Sequence, residues 1–328
     1  MRTLITGAGG FVGSELLGLL LSRASAGDEL VAADIGFSQD DRRPGVVYHV
    51  GGLQEDGVIE HLFERPFDRI VHLATVAGVG SENFDLGKAT NLDATMALLE
   101  AARRSGARPR FVYSSSVGIF AAPLPAVVDD ATLPVPTNSY GTHKLVVELL
   151  LTDYTRAGFI DGLALRFPGV IARPQGSTTM LSAFLNDVFY AAAAGQSFLL
   201  PLAPDDATWV MSLKLVARNL AHALELPPAD LPPRRYWSLP ALHLTMAKLV
   251  EALAERFGSR VSELISFAPN PELQRRFVFP PLLATGAEAL GFLGDKTTQA
   301  FVENVLSTNT TLAASSTPLK PNASEARR

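Results

Sequence analysis

The sequence predicts an α/β protein, a doubly wound parallel sheet with helices on both faces joined to a smaller, mostly helical C-terminal domain. Three observations carry this. Residues 3–34 run as strand, glycine-punctuated turn, helix and second strand. Short apolar runs then alternate with helical periods as far as residue 166. Beyond Pro168 the texture changes to helices separated by proline-rich connections.

The opening run Thr3, Leu4, Ile5 stops at the turn 6–13, and a helical run over 14–24 follows at once. Gly7 permits a turn with unusual backbone angles, Gly10 lets the main chain approach a pyrophosphate beside Phe11 and Val12, and Gly13 lets the helix lie close on the sheet. The start of that helix offers unpaired N–H groups and a positive dipole end to phosphates. The second strand, 30–33, ends in Asp34. A carboxylate there accepts hydrogen bonds from both hydroxyls of an adenosine ribose and repels a 2′-phosphate, so the expected dinucleotide is NAD rather than NADP. Arg42 and Arg43 read as a solvated loop pair beside Asp40 and Asp41, with a phosphate contact as the alternative.

Residues 46–48 form a third strand, and Leu53 after Gly51 and Gly52 is the expected neighbour of adenine. Residues 69–74 are a buried strand whose following loop, 75–80, lies at the carboxyl end of the sheet; Ala74 and Thr75 are therefore expected near nicotinamide. His72 inside that strand reads as a core histidine. Residues 83–104 are helical, with Leu92, Met96, Leu99 and Ala102 on one face, and Asn91 is the polar residue singled out there. Residues 110–114 are a further strand, opening at Ser114, Ser115 and Ser116 toward the cofactor. Prolines over 123–136 mark a surface loop, and Thr137, Asn138 and Ser139 supply N-cap residues for the helix carrying Tyr140 and Lys144. Residues 162–166 close the first domain, with Pro168 at the cofactor's edge.

Tyr140 and Lys144 stand four apart on one helix face. A tyrosine of ordinary pKa, about 10, is a poor base at neutral pH, but an ammonium one turn away favours the phenolate. Tyr140 can then take a proton from a substrate hydroxyl while hydride leaves the adjacent carbon, with Ser116 holding the same oxygen and Lys144 the nicotinamide ribose. Arg173, just past the last strand, is expected to face the cleft between domains, where a guanidinium suits a substrate carboxylate; an interdomain salt bridge is the alternative. Trp209 reads as core packing that can also line the pocket.

In the second half, 184–194 and 213–226 are helical, 227–233 is a proline-rich linker, and Thr245 caps a helix over 246–257 that ends at Gly258. The expected division is a cofactor domain, 1–167, carrying Ser116, Tyr140 and Lys144; a substrate domain, 168–306, interleaved with it; and a disordered tail, 307–328, built of small polar residues.

Composition narrows the partners. Hydrophobic residues are 47% and charged residues 19% of the 328, which suits a folded protein with a sizeable core. At a formal charge of −5, without a Lys/Arg cluster interleaved with aromatics, the electrostatic footprint of a nucleic-acid binder is missing. There is no cysteine, which excludes disulfides, thiolate metal sites and a cysteine nucleophile, and the six histidines show no metal-ligand spacing, so no metal is expected. No signal peptide and no apolar run of membrane-spanning length are visible, and a cytoplasmic location is the expectation, with no membrane partner.

Taken in order, the turn 6–13, Asp34, His72 to Ala74, Asn91, Ser114 to Ser116, and Tyr140 with Lys144 resemble the extended short-chain dehydrogenase/reductase (NAD-dependent epimerase/dehydratase) family over about residues 1–306. The resemblance implies a Rossmann-type domain, NAD(P), a Ser/Tyr/Lys site with Asn91 supporting the lysine through structure or water, and a homodimer pairing the helices that start near Asn83 and Tyr140. Residues 83–87, 118–125, 148–154, 158–162 and 164–168 are similar to a branch of the family that oxidises a four-carbon sugar acid at C2 with NAD. The implied activity is an NAD-dependent oxidoreductase acting on a small sugar acid. A sugar or sugar-nucleotide epimerase that retains NAD is the alternative, and a non-catalytic NAD sensor stands behind both. A dehydratase is expected to carry an Asp-Glu pair after the serine, where this chain has Val117 and Gly118.

Overall fold

The computed structural model describes residues 1–38, 42–174 and 181–314. Strands β1 (Arg2–Thr6), β2 (Glu29–Asp34), β3 (Val46–Val50), β4 (Arg69–His72), β5 (Arg110–Ser116) and β6 (Asp161–Phe167) belong to the first half, and β7 (Gly169–Ile171), β8 (Phe198–Leu200), β9 (Ala207–Ser212), β10 (Tyr236–Ser238), β11 (Leu242–Thr245) and β12 (Ile265–Phe267) follow. Among the described residues the main sheet has seven strands in the order β10-β6-β5-β4-β1-β2-β3, all parallel. Two small sheets, β11-β9-β7 and β12-β8, sit in the second half. Strands covered on both faces need continuous apolar runs, and Leu4, Ile5, Ile70, Val71, Phe111 and Val112 are fully buried accordingly. The strand order reverses between β1 and β4, and a crevice opens there at the carboxyl ends.

The helices are α1 (Phe11–Arg23), α2 (Val58–Leu62), α3 (Phe84–Lys88), α4 (Ala94–Arg104), α5 (Ser139–Arg156), α6 (Phe184–Ala194), α7 (Leu213–Glu225), α8 (Met246–Phe257), α9 (Val261–Leu264), α10 (Pro271–Phe277), α11 (Thr285–Ala289), α12 (Thr298–Ser307) and α13 (Thr310–Ala314). Leu16 and Leu17 of α1 share one core with Val216, Leu220 and Leu224 of α7. On the opposite face α2, α4 and α5 contribute Ile59, Leu62, Leu98, Leu99, Val147 and Leu151. A second core gathers α6, α8 and α12. Asn138 caps α5 by accepting from Gly141 N–H at 2.8 Å, and Thr245 caps α8 by accepting from Lys248 N–H at 3.3 Å. Among the described residues no helix is long and apolar enough to cross a membrane.

The chain crosses back over residue 167: α7 covers the first sheet, and β10 pairs with β6 through Tyr236–Ser238, straight after the proline-rich stretch. Three features depart from the sequence reading. The single helix expected over 83–104 is α3 and α4 joined by a π-helical turn, Ala89–Asp93, centred on Asn91. The tail expected to be disordered from 307 carries α13, whose Leu312 is buried in the second core; Asn309 caps it, accepting from Leu312 N–H at 3.0 Å. Residues 315–328 of that tail lie outside the described residues. Arg43 is not a solvated loop side chain: its guanidinium lies on α1 at Gly18 and donates to Ser14 Oγ at 3.3 Å. Asp40 and Asp41 beside it lie outside the described residues.

Candidate active site

A cavity of about 1150 Å³ opens at the carboxyl ends of the main strands and reaches into the second half. Gly7, Gly10, Phe11, Val12, Gly13, Asp34, Leu53, Ala74, Thr75, Ser116, Tyr140, Lys144, Pro168 and Arg173 all line it. Of the residues singled out from sequence for the site, Asn91 alone stands outside the lining.

The glycine turn is built by close backbone approaches. Gly7 has φ +69°, and a Cβ there would come within 2.6 Å of Ala74 N; one on Gly13 would lie 2.1 Å from the Gly7 carbonyl oxygen. Gly13 therefore lets the helix close on the turn itself. The start of α1 has no side-chain cap, since Gly10 occupies the N-cap position, and its free N–H groups are left for a ligand. Gly9 was missed as a site residue. Its N–H donates to Asp34 Oδ2 at 2.9 Å, and a Cβ would stand 2.5 Å from the Gly36 carbonyl, so it seats the carboxylate at the end of β2. The second glycine of the Gly7-x-Gly9 spacing was the available signal. An uncapped helix start, a bare main-chain turn and a fixed carboxylate at the next strand end fit a dinucleotide.

Tyr140 lies in the first turn of α5 and Lys144 one turn on. Lys144 is 1% exposed; its Nζ donates to the Ser114 carbonyl at 2.6 Å and lies 5.5 Å from the Tyr140 ring centroid. Burial pulls the ammonium down to about 7, while Glu148 pushes it up. The Tyr140 phenol is raised above its ordinary value by burial, opposed by a hydrogen bond with Ser116 and by the charge of Arg173. This differs from the sequence expectation, in which the lysine was the group that acidified the phenol: here desolvation is the largest influence, and the opposing cation is Arg173. Ser116 Oγ also accepts from Gly118 N–H at 3.0 Å, which orients the hydroxyl toward the tyrosine.

Asn91 acts one layer back. Its Oδ1 accepts from Thr75 Oγ1 at 2.9 Å and from Val76 N–H at 2.8 Å, and its Nδ2 donates to the Val76 carbonyl at 2.9 Å. The π-helical turn aims the amide at this loop. The family resemblance implies support for Lys144 through structure or water; the direct side-chain contacts of Asn91 are with the cavity wall at Thr75 and Val76. His72 is fully buried between Thr6 Oγ1 at 2.6 Å and Thr95 Oγ1 at 2.8 Å, a satisfied core histidine as read.

Arg173 enters from the second half. Its backbone is fixed by the Asn186 side chain and by Tyr190, and its guanidinium pairs with no carboxylate among the described residues. Burial lowers its pKa, and it remains a cation facing the cavity. Trp209 packs in the core, stacked on Phe279 at 4.4 Å with its indole N–H on the Pro280 carbonyl, and still presents an edge to the cavity.

The profile described as NAD dependent epimerase/dehydratase family matches residues 3–205. A protein named D-erythronate dehydrogenase from Cupriavidus necator is 35% identical over 90% of this chain and 94% of its own. One of the same name from Haemophilus influenzae is 31% identical over 93% and 99%. A crystal structure titled nucleoside-diphosphate-sugar epimerase from Agrobacterium tumefaciens superposes with a TM-score of 0.87 at 30% identity, covering 95% of each chain. With a glycine turn, an acidic end to β2 and a Ser/Tyr/Lys cluster in one cavity, the chain belongs to the NAD-dependent epimerase/dehydratase family, the extended short-chain dehydrogenase/reductases.

Proposed function

We propose that the protein is an NAD-dependent dehydrogenase that oxidises the C2 hydroxyl of a small sugar acid such as D-erythronate to the 2-oxo acid. The observation that carries this reading is Arg173, a cation without a carboxylate partner among the described residues, lining one cavity with Tyr140 and Ser116. A carboxylate at C1 beside a hydroxyl at C2 satisfies both ends of that arrangement. The two relatives named D-erythronate dehydrogenase support the substrate class.

Residues 7–13 would hold the pyrophosphate, Asp34 the adenosine ribose, Leu53 the adenine, and Ala74, Thr75, Lys144 and Pro168 the nicotinamide end. Bound NAD supplies the acceptor for the hydride that leaves C2. The O–H bond breaks at the same carbon, its electron pair becomes the second bond of the carbonyl, and Tyr140 takes the proton. Ser116 holds the reacting oxygen against Tyr140, and Arg173 fixes the acid end so that C2 rather than C3 faces the phenol. The charge of Arg173, which opposes the effect of burial on the phenol, favours the phenolate, and the Lys144 ammonium is assigned to the nicotinamide ribose.

We also infer a homodimer in which α3 and α5 pack against their copies. Phe84, Leu86 and Leu149 are 62%, 43% and 60% exposed on these helices, which leaves an apolar face for a second chain.

The test is NADH formation from a panel of four- to six-carbon aldonates, with NADP in parallel. Turnover with D-erythronate and NAD is the expected result. The similarity to a structure titled as an epimerase supports a second reading. Retained NAD with interconversion of a nucleotide sugar and no net NADH would establish that reading and overturn the first.

A further inference from the structure

Behind Tyr140 and Lys144, α5 carries a third polar residue at the same spacing. Glu148 is 1% exposed, and its carboxylate receives Arg166 of β6 in a paired contact, Nε to Oε1 at 2.9 Å and Nη2 to Oε2 at 2.7 Å. Arg166 is itself buried, with Phe120 and Tyr236 rings at 5.4 and 4.6 Å from its guanidinium carbon. Ser115 donates its hydroxyl to the same Oε1. The end of β5 thus serves α5 turn by turn: Ser116 meets Tyr140, the Ser114 carbonyl accepts from Lys144, and Ser115 reaches Glu148.

A buried ion pair is weak evidence for stability, because the desolvation of both charges offsets their attraction and apolar residues can fill the same space. Its position relative to Lys144 gives it another use. The buried ammonium donates to a neutral carbonyl, and a buried amine so placed loses its proton unless a negative charge is near. The groups that touch or act on Lys144 are Tyr140 and Glu148 on its own helix, Tyr113 on β5 with its ring centroid at 4.7 Å, and His72 on β4, while Arg166 on β6 is paired with Glu148. Arg173 acts on Tyr140 from the far side of the cavity. Glu148 is the carboxylate in this set.

We propose that Glu148, fixed by Arg166 and Ser115, is a positioning residue that keeps Lys144 protonated in its buried seat. The pull of burial on Lys144 and the opposing push of Glu148 agree with this assignment. The proposal rests on the dehydrogenase reading only for its consequence in turnover, because the charge on Lys144 is measurable without substrate.

The chain has six lysines, so the side-chain NMR signals of full-length protein labelled in lysine can be followed through a pH titration, with Lys144→Met identifying the signal of interest. Glu148→Gln keeps the shape and removes the charge. The double variant Glu148→Gln, Arg166→Gln avoids stranding a buried guanidinium and covers the case in which the single variant does not fold. The Lys144 midpoint, about 7 in the parent, is expected to fall by about one pH unit in Glu148→Gln and by less in the double variant, with Glu148→Asp restoring most of it. The alkaline limb of kcat/KM for sugar-acid oxidation should move down with it. An unmoved midpoint in either folded variant overturns the proposal. If the midpoint moves but no aldonate is oxidised, the dehydrogenase reading fails and the proposal stands.

Discussion

The guanidinium of Arg173 stands over the ring of Phe11, 5.3 Å from its centroid, so a side chain from beyond the main sheet rests on the first residue of α1. That contact holds the cation at the mouth of the glycine turn, where it also acts on Tyr140. Arg173→Ala should raise KM for a sugar acid by about 10- to 100-fold, the value of a charge-assisted pair. KM for the matching neutral polyol should change little. Equal losses on acid and polyol would dispose of the carboxylate role.

Tyr140→Phe should lower kcat by about 10²-fold or more while leaving NAD affinity within a few-fold, because the phenol moves the proton and the turn holds the cofactor. Steady-state kinetics with calorimetric NAD binding separates the two. A mutant of near-parental kcat contradicts the base assignment.

Gly13→Ala and Gly10→Ala should behave differently. The added Cβ at Gly13 meets the Gly7 carbonyl oxygen at 2.1 Å, a backbone atom without room to retreat, whereas at Gly10 the contact with the same oxygen is 3.2 Å. Thermal unfolding should show Gly13→Ala destabilised by about 1–3 kcal/mol and poor in NAD binding. Gly10→Ala should keep its Tm and lose affinity alone. Matching Tm values for the two would refute the clash.

Burial, and secondarily Lys144, pulls His72 down to about 3, against about 6.5 in an unfolded chain. Between these values the unfolded chain binds a proton that the folded chain refuses. The contribution is therefore intact above about pH 6.5 and is lost as pH falls toward 3, by up to about 1.4 kcal/mol per unit. Urea unfolding at about pH 7 and about pH 5 should show a smaller loss in His72→Gln than in the parent. Identical losses would show that this histidine does not carry the acid sensitivity.

Leu149→Glu places a charge on the apolar outer face of α5 and should convert the inferred dimer to a monomer in light scattering. A dimer of unchanged mass would move the interface elsewhere.

The parts of the site that were legible in sequence are those written in short spacings. Gly7, Gly10, Gly13 and Asp34 form one strand–turn–helix–strand unit, and Tyr140 and Lys144 share one helix face, so local geometry alone brings each set together. Asn91 was visible as a polar residue but its direction was not, because a π-helical turn rotates side chains without disturbing the apolar period on either side. Glu148 stood in plain sight one turn past Lys144, yet its partner Arg166 comes from the neighbouring strand and is joined to it only by tertiary packing. The three-residue strand β10 follows a run of prolines and is fixed by pairing with β6, a long-range contact that no local pattern announces. Leu312 shows the same limit at the other end of the chain, where a single buried leucine outweighs small, polar neighbours.

The return of α7 and β10 to the main sheet makes the two halves one inheritance. A fragment ending at 167 would leave the amides and carbonyls of β6 bare along one edge and strip the greasy flank of α1, an invitation to chain-to-chain pairing. Grafting a relative's specificity onto this scaffold therefore requires an exchange that leaves 213–225 and 236–238 native and replaces only the segments threaded between and after them.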